Sequence, residues 1–142
     1  MSFAADMLNY CSKIAPEWIE GVTRKVIIET GSRAVMRSPV GDAGYWQSPA
    51  PPGYAGGTFR RNWQYQYGNI ASGILEGTDA GGGATISAIA QSSTGKAGVH
   101  YISNNLPYAQ RIENGWSKRQ APQGIVSLIG MEFPDIVRIA QQ

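Results

Sequence analysis

The chain has 142 residues, enough for one domain with a single core and too few for two. Its net charge is +2 and only 15% of its residues are charged, which disfavours a protein that holds nucleic acid by neutralising phosphates and suggests surface that neighbours cover. The single cysteine, Cys11, excludes an intramolecular disulfide framework. No basic start with an apolar core marks a secretory signal, and no run approaches the roughly 20 apolar residues that cross a bilayer. The expectation is a chain made in a cytoplasm and without a membrane partner.

Phe3, Met7, Cys11 and Ile14 recur at three- to four-residue spacing and predict an amphipathic helix over 2–14, with Cys11 as a small buried hydrophobe. Pro16 should interrupt it. A longer helix is expected over 17–37, with Glu17 and Glu20 at its start and Arg33 and Arg37 at its end, the order the helix dipole favours. Trp18, Val22, Val26, Ile28 and Val35 are its candidate core residues. Gly21 and Gly31 each cost about 1 kcal/mol against alanine unless a neighbour needs the space. Ser38-Pro39 closes the helix.

The stretch 41–57, GDAGYWQSPAPPGYAGG, has too little aliphatic material for a core of its own. Long loops in compact domains tend to bind something, and Tyr45, Trp46 and Tyr54 set this one apart from a plain disordered linker. The expectation is a loop that orders against neighbouring proteins on assembly. Thr58 to Tyr67 alternates as a strand with one wet face, Ile70 to Leu75 reads as a short continuation, and Thr78 to Gly83 is a turn. Ala84 to Gln91 alternates again and reads as a second strand; Val99 to Ile102 reads as a third. Asn104, Asn105 and Pro107 break that pattern. A short helix then carries Tyr108, Ala109 and Ile112, with Asn105 as its N-cap and Gly115 as a left-handed stop. The loop after it presents Trp116, Lys118 and Arg119. Pro122 opens the last helix, where Ile125, Leu128, Ile129, Phe133, Ile136 and Val137 have helical spacing and Pro134 should divide or kink it.

These elements compose an α+β fold, with N-terminal helices and a C-terminal helix packed on one face of a small antiparallel β-sheet and a long Gly/Pro-rich loop. One domain over 1–142 results, helical over 1–37, looped over 38–57, sheet with a short helix over 58–121, and helical again over 122–142.

Catalytic constellations are scarce. His100, the only histidine, lies in a strand and reads as a sheet residue rather than a base. The GTDAGGG stretch lacks the lysine of a phosphate cradle. The carboxylate pairs Glu76/Asp79 and Glu132/Asp135 have no further ligand at metal spacing and read as solvated surface acids. No catalytic residue, cofactor or metal is expected, and the chain reads as a non-enzyme. Basic residues pair at Arg24-Lys25, Arg60-Arg61 and Lys118-Arg119, next to aromatics that suit either stacked nucleic acid or, more often, a protein interface. The candidate interaction residues are Tyr45, Trp46, Tyr54, Arg60, Arg61, Tyr108, Glu113, Trp116, Lys118 and Arg119.

The run Asn105-Leu106-Pro107-Tyr108-Ala109, followed by Ile112-Glu113, Gly115, Ser117, Gln120-Ala121-Pro122 and Gly124, resembles the Z-type minor tail, or tail-completion, proteins of lambda-like bacteriophages. A second mark of that family, Pro-Val-x-x-Gly followed by an Arg-containing segment ending in Ser/Asn-Trp, is matched by Ser38-Pro39-Val40-Gly41-Asp42 and Thr58-Phe59-Arg60-Arg61-Asn62-Trp63, split by an insertion-like segment over 43–57. The resemblance implies a structural virion protein at the neck, where head and tail of a long-tailed phage join. It further implies a homo-oligomeric ring of six copies, neighbouring neck and tail-terminator or tail-tube proteins as partners, and genome DNA in transit through the lumen. The alternative class is a small DNA-binding or DNA-end-protecting module, carried by the three basic pairs.

Overall fold

The structure is a computed structural model that describes residues 2–41 and 56–142. It opens with one unbroken helical run: α1 (Phe3–Asn9), a π-helical turn (Tyr10–Ile14) and α2 (Ala15–Arg37). Ser2 caps its start by accepting from the Ala5 N–H at 3.2 Å. The expected interruption at Pro16 does not occur. The turn before it is widened, with the Ala15 N–H bonded back to the Tyr10 carbonyl five residues away, and the extra room relieves the clash a proline ring makes one turn back.

After Ser38 the described chain resumes with one helical turn, α3 (Thr58–Arg61), then β1 (Trp63–Tyr67), α4 (Gly83–Ser92), β2 (His100–Asn104), α5 (Ala109–Glu113) and α6 (Val126–Ala140). The fold is α+β. Among the described residues the sheet has two strands rather than three, β1 antiparallel to β2 with Trp63 opposite Asn104 and Tyr67 opposite His100. The expected strand over 84–91 is the helix α4. Its alternation was equally compatible with a helix that buries Thr85 and Ile89 one turn apart, and its three alanines favour that choice. Asp79 decides it: its carboxylate accepts from the Gly82 N–H at 3.1 Å and the Thr85 N–H at 2.7 Å, so it caps α4 and is not a free surface acid. The strand expected from Thr58 likewise starts five residues later, because Gly57, at φ 111°, turns the chain into α3. Residues 70–75 form no strand.

The core joins Ile27, Ala34 and Val35 of α2, Phe59, Trp63, Ile89, Ile112, and Ile125, Ile129 and Ile136 at or in α6. Full burial of each larger side chain contributes about 1.5–3 kcal/mol. Of the expected core residues of the first helices, Val35 is fully buried and Val26 packs against the core, but Trp18 is exposed and no side chain of α1 or the π turn is buried. Cys11 is exposed too, which corrects its reading as a buried hydrophobe. The regular apolar spacing of residues 3–18 is real, but none of these side chains is buried among the described residues. At the C-terminus α6 runs through Pro134 without division, with Gly130 one turn earlier; it starts at Val126, four residues beyond Pro122. Phe133 stays exposed.

Gly31 packs directly against α4, since a Cβ there would lie 3.0 Å from the Ile89 Cγ2, whereas nothing lies within 4 Å of one at Gly21. The two glycines should therefore respond oppositely. Gly31→Val is expected to destabilise by about 1–3 kcal/mol through overpacking, and Gly21→Ala to stabilise by up to about 1 kcal/mol, both read from denaturant midpoints.

Candidate interaction surface

The segment that leaves α2 is pinned from three sides. Ser38 ends the helix with its hydroxyl donating to the Ala34 carbonyl at 2.6 Å, and the Trp63 indole N–H donates to that hydroxyl at 2.6 Å. Arg60 spends its guanidinium on three carbonyls: Nε on Ser38 at 2.9 Å, one terminal nitrogen on Ala80 at 2.8 Å and the other on Met36 at 3.1 Å. Charged donors at a helix C-terminus meet both the unpaired carbonyls and the negative end of the dipole. Arg61 lies beside Asp79 and does not share that role. Burial pushes the Asp79 carboxyl up, but the Thr85 and Gly82 hydrogen bonds and the Arg61 charge outweigh it and leave its pKa lowered.

The third constraint comes from Gln120. Its amide oxygen accepts from the Val40 N–H at 2.7 Å and its amide nitrogen donates to the Val40 carbonyl at 2.8 Å, a two-point bracket across 80 residues of sequence. Gly41 and Gly56 approach so closely here that a Cβ at Gly56 would overlap the Gly41 carbonyl. The residues between them, with the candidates Tyr45, Trp46 and Tyr54, lie outside the described residues. The chain thus departs and returns at one point of the body, beside the loop that carries Trp116, Lys118 and Arg119.

That loop is itself held from behind. α5 ends at Gly115, φ 86°, with the Gly115 N–H bonded to the Ile112 carbonyl and the Trp116 N–H to the Arg111 carbonyl, the left-handed stop expected from sequence. Trp116 stands 68% exposed with the Arg111 guanidinium 5.1 Å over its ring, and Lys118 and Arg119 are exposed beside it in sequence. Tyr108, at the N-cap of α5, lies 6.0 Å from the Phe59 ring and is partly exposed. Asn105 is not the cap; its side chain donates instead to the Ala71 and Gly73 carbonyls.

Glu113 turns inward. One carboxylate oxygen accepts from the Ile125 and Val126 N–H groups, each at 2.8 Å, and the other from the Ser127 N–H at 2.9 Å, so three orphan donors at the start of α6 share one anion. Partial burial raises its pKa, and the Ser127, Val126 and Ile125 hydrogen bonds more than reverse that, leaving it below the usual carboxylate range. Glu132 is also lowered, first by its hydrogen bond from Arg37; Arg33, 3.3 Å away, adds its charge and joins α2 to α6. Spacing had suggested a surface acid there. Sequence reading missed Asn62, which is fully buried and binds the Leu75 N–H and carbonyl at 2.8 and 3.1 Å, fixing the 68–75 loop to α3. An asparagine followed by tryptophan carries no sign of that bracket until the fold brings Leu75 beside it.

His100 has both ring nitrogens engaged: Nδ1 faces the Tyr65 hydroxyl at 2.8 Å and Nε2 the Lys96 carbonyl at 2.9 Å. The second bond requires the proton on Nε2, so with a neutral ring Tyr65 donates to Nδ1. A hollow of about 250 Å³ between Phe59, Trp63, Asn104 and Val126 has Glu113 on its wall, with its carboxylate occupied as above. Among the described residues no three His, Cys, Asp or Glu side chains gather as metal ligands.

A carboxylate held low by native hydrogen bonds stabilises the fold above its unfolded pKa, and that contribution is lost as pH falls through its folded value. Glu113→Ala is expected to cost about 1–2 kcal/mol at neutral pH, the usual price of a lost helix cap. It should also flatten the fall in stability between neutral pH and the acid range, with Glu113→Gln intermediate; chemical denaturation across pH reads both.

Against family models, characterised proteins and solved structures alike, no match to this chain is found.

Proposed function

We propose that the chain is a structural protein of the phage neck and tail junction, a tail-completion protein whose copies form a ring through which DNA passes. The observation that carries this reading is the bracket between Gln120 and Val40, because it sets the root of the 42–55 segment, whose sequence holds the candidates Tyr45, Trp46 and Tyr54, against the loop of the exposed Trp116. Trp, Tyr and Arg in such a cluster are the residue types that anchor protein interfaces. Support also comes from where the residues of the family resemblance sit: Ser38, Arg60, Trp63, Glu113, Gly115, Gln120 and Gly124 all lie in the brackets that hold this surface in place. The DNA-binding alternative draws less support, since Arg60 gives its donors to backbone carbonyls and Arg24 donates to Ser93 and Ala90.

Because Gly41 and Gly56 abut, replacing 42–55 by a short glycine linker is expected to leave the body folded with little change in melting temperature. Phage carrying the shortened protein should yield filled heads and finished tails that do not join. Infectious particles at normal titre would remove the junction role from that segment. Trp116→Ala combined with Lys118→Ala should weaken association with neighbours by at least about tenfold while leaving the melting temperature unchanged. A gel shift with DNA that weakens steeply with salt would instead favour the DNA-binding alternative.

A further inference from the structure

Among the described residues, nothing buries the helix formed by α1, the π turn and the start of α2. The body packs against it at Glu20, whose backbone lies close enough to Gly95 to exclude a Cβ there. Before that point Phe3 is 80% exposed, Leu8 70% and Trp18 55%, and Met7, Tyr10, Ile14 and Ile19 are also exposed. Together these side chains present on the order of 800 Å² of largely apolar surface, about what each partner contributes to a stable protein interface. A monomer in water gains nothing from keeping such a surface on a regular helix.

We infer that residues 3–19 are a docking arm that packs on the body of a second copy of this chain. Two observations select that occupant. The first is area, since a surface of this size needs a protein-sized apolar counterpart, and the body exposes apolar side chains of its own at Ile70, Ile74, Val99, Trp116 and Met131. The second is charge. Residues 3–19 hold Asp6 and Glu17 against Lys13, a net −1, so with a total of +2 the remainder of the chain carries +3. Arm therefore attracts body and repels arm, which makes the contact head-to-tail, the kind that closes into a ring when its rotation allows. An interfacial membrane helix would need the opposite charge, with lysines and arginines along its polar face. The inference rests on the ring reading above for the meaning of the assembly and adds to it the surface through which copies meet.

Cys11, the only thiol and exposed on the arm, reports on this directly. In the purified full-length protein, sedimentation should show assembly that grows with concentration, and the rate of Cys11 alkylation by a maleimide should fall by about tenfold or more as it does. The variant Leu8→Glu with Trp18→Glu should remain monomeric with rapid alkylation, and its cooperative unfolding should persist because neither side chain is buried. Raised salt should weaken assembly of the native chain. A strictly monomeric native chain overturns the inference and leaves the ring reading to be judged in whole particles. Assembly undiminished in the double variant also overturns it, while leaving a ring formed through another surface. Flotation of the native chain with vesicles of anionic phospholipid, in place of self-assembly, would assign the arm to a membrane and overturn it as well.

Discussion

The end of the long helix at Ser38 is the point on which the remaining structure depends. A helix terminus leaves carbonyls without partners, and where Ser38 is buried they cannot all face water. Here Arg60 supplies charged donors to Met36 and Ser38, Trp63 completes the Ser38 hydroxyl, and Gln120 takes both backbone groups of Val40. Hydrogen bonds to a charged group are worth about 1.5–3 kcal/mol each, and a partner removed from a buried one leaves a desolvated group behind. That one region ties α2 to α3, to β1 and to the segment before α6.

Around it the other polar side chains act as brackets of the same kind. Asp79 starts α4, Glu113 starts α6, Asn62 fixes the 68–75 loop, and Arg33 and Arg37 meet Glu132 between the two longest helices. Gly124, at φ 80°, lies so near Glu113 that a Cβ would press on its carboxyl, so the glycine and the acid form one device. The candidate interaction residues consequently divide. Arg60 and Glu113 are consumed inside the body; Trp116, Lys118 and Arg119 stand on its surface; Tyr45, Trp46 and Tyr54 lie outside the described residues.

Helix ends governed by local chemistry were legible in the sequence. Ser38-Pro39 stops α2 and Gly115 stops α5 as glycine and proline rules require. The errors came where tertiary context chose between local options. ATISAIAQ alternates, yet a capping acid four residues upstream of Gly83 turns it into a helix. Pro16 breaks α-helical geometry but not a helix that can widen by one residue. Spacing found apolar residues recurring on one face of residues 3–18 and could not say that they stay exposed among the described residues. The interaction surface was legible only in composition, as Trp beside Lys and Arg; the bracket that puts it next to the root of the 42–55 segment joins residues 80 apart and has no local signature.

The molecule divides into a held body and an exposed arm, and amide hydrogen exchange measured at low and at high protein concentration tests that division most directly. The amides of Val40 and Leu75, bonded to the Gln120 and Asn62 side chains, should exchange slowly at both concentrations, while those of residues 3–14 should exchange fast when dilute and become protected on concentration. Arm amides indifferent to concentration, or Val40 and Leu75 exchanging as fast as the arm, would contradict it.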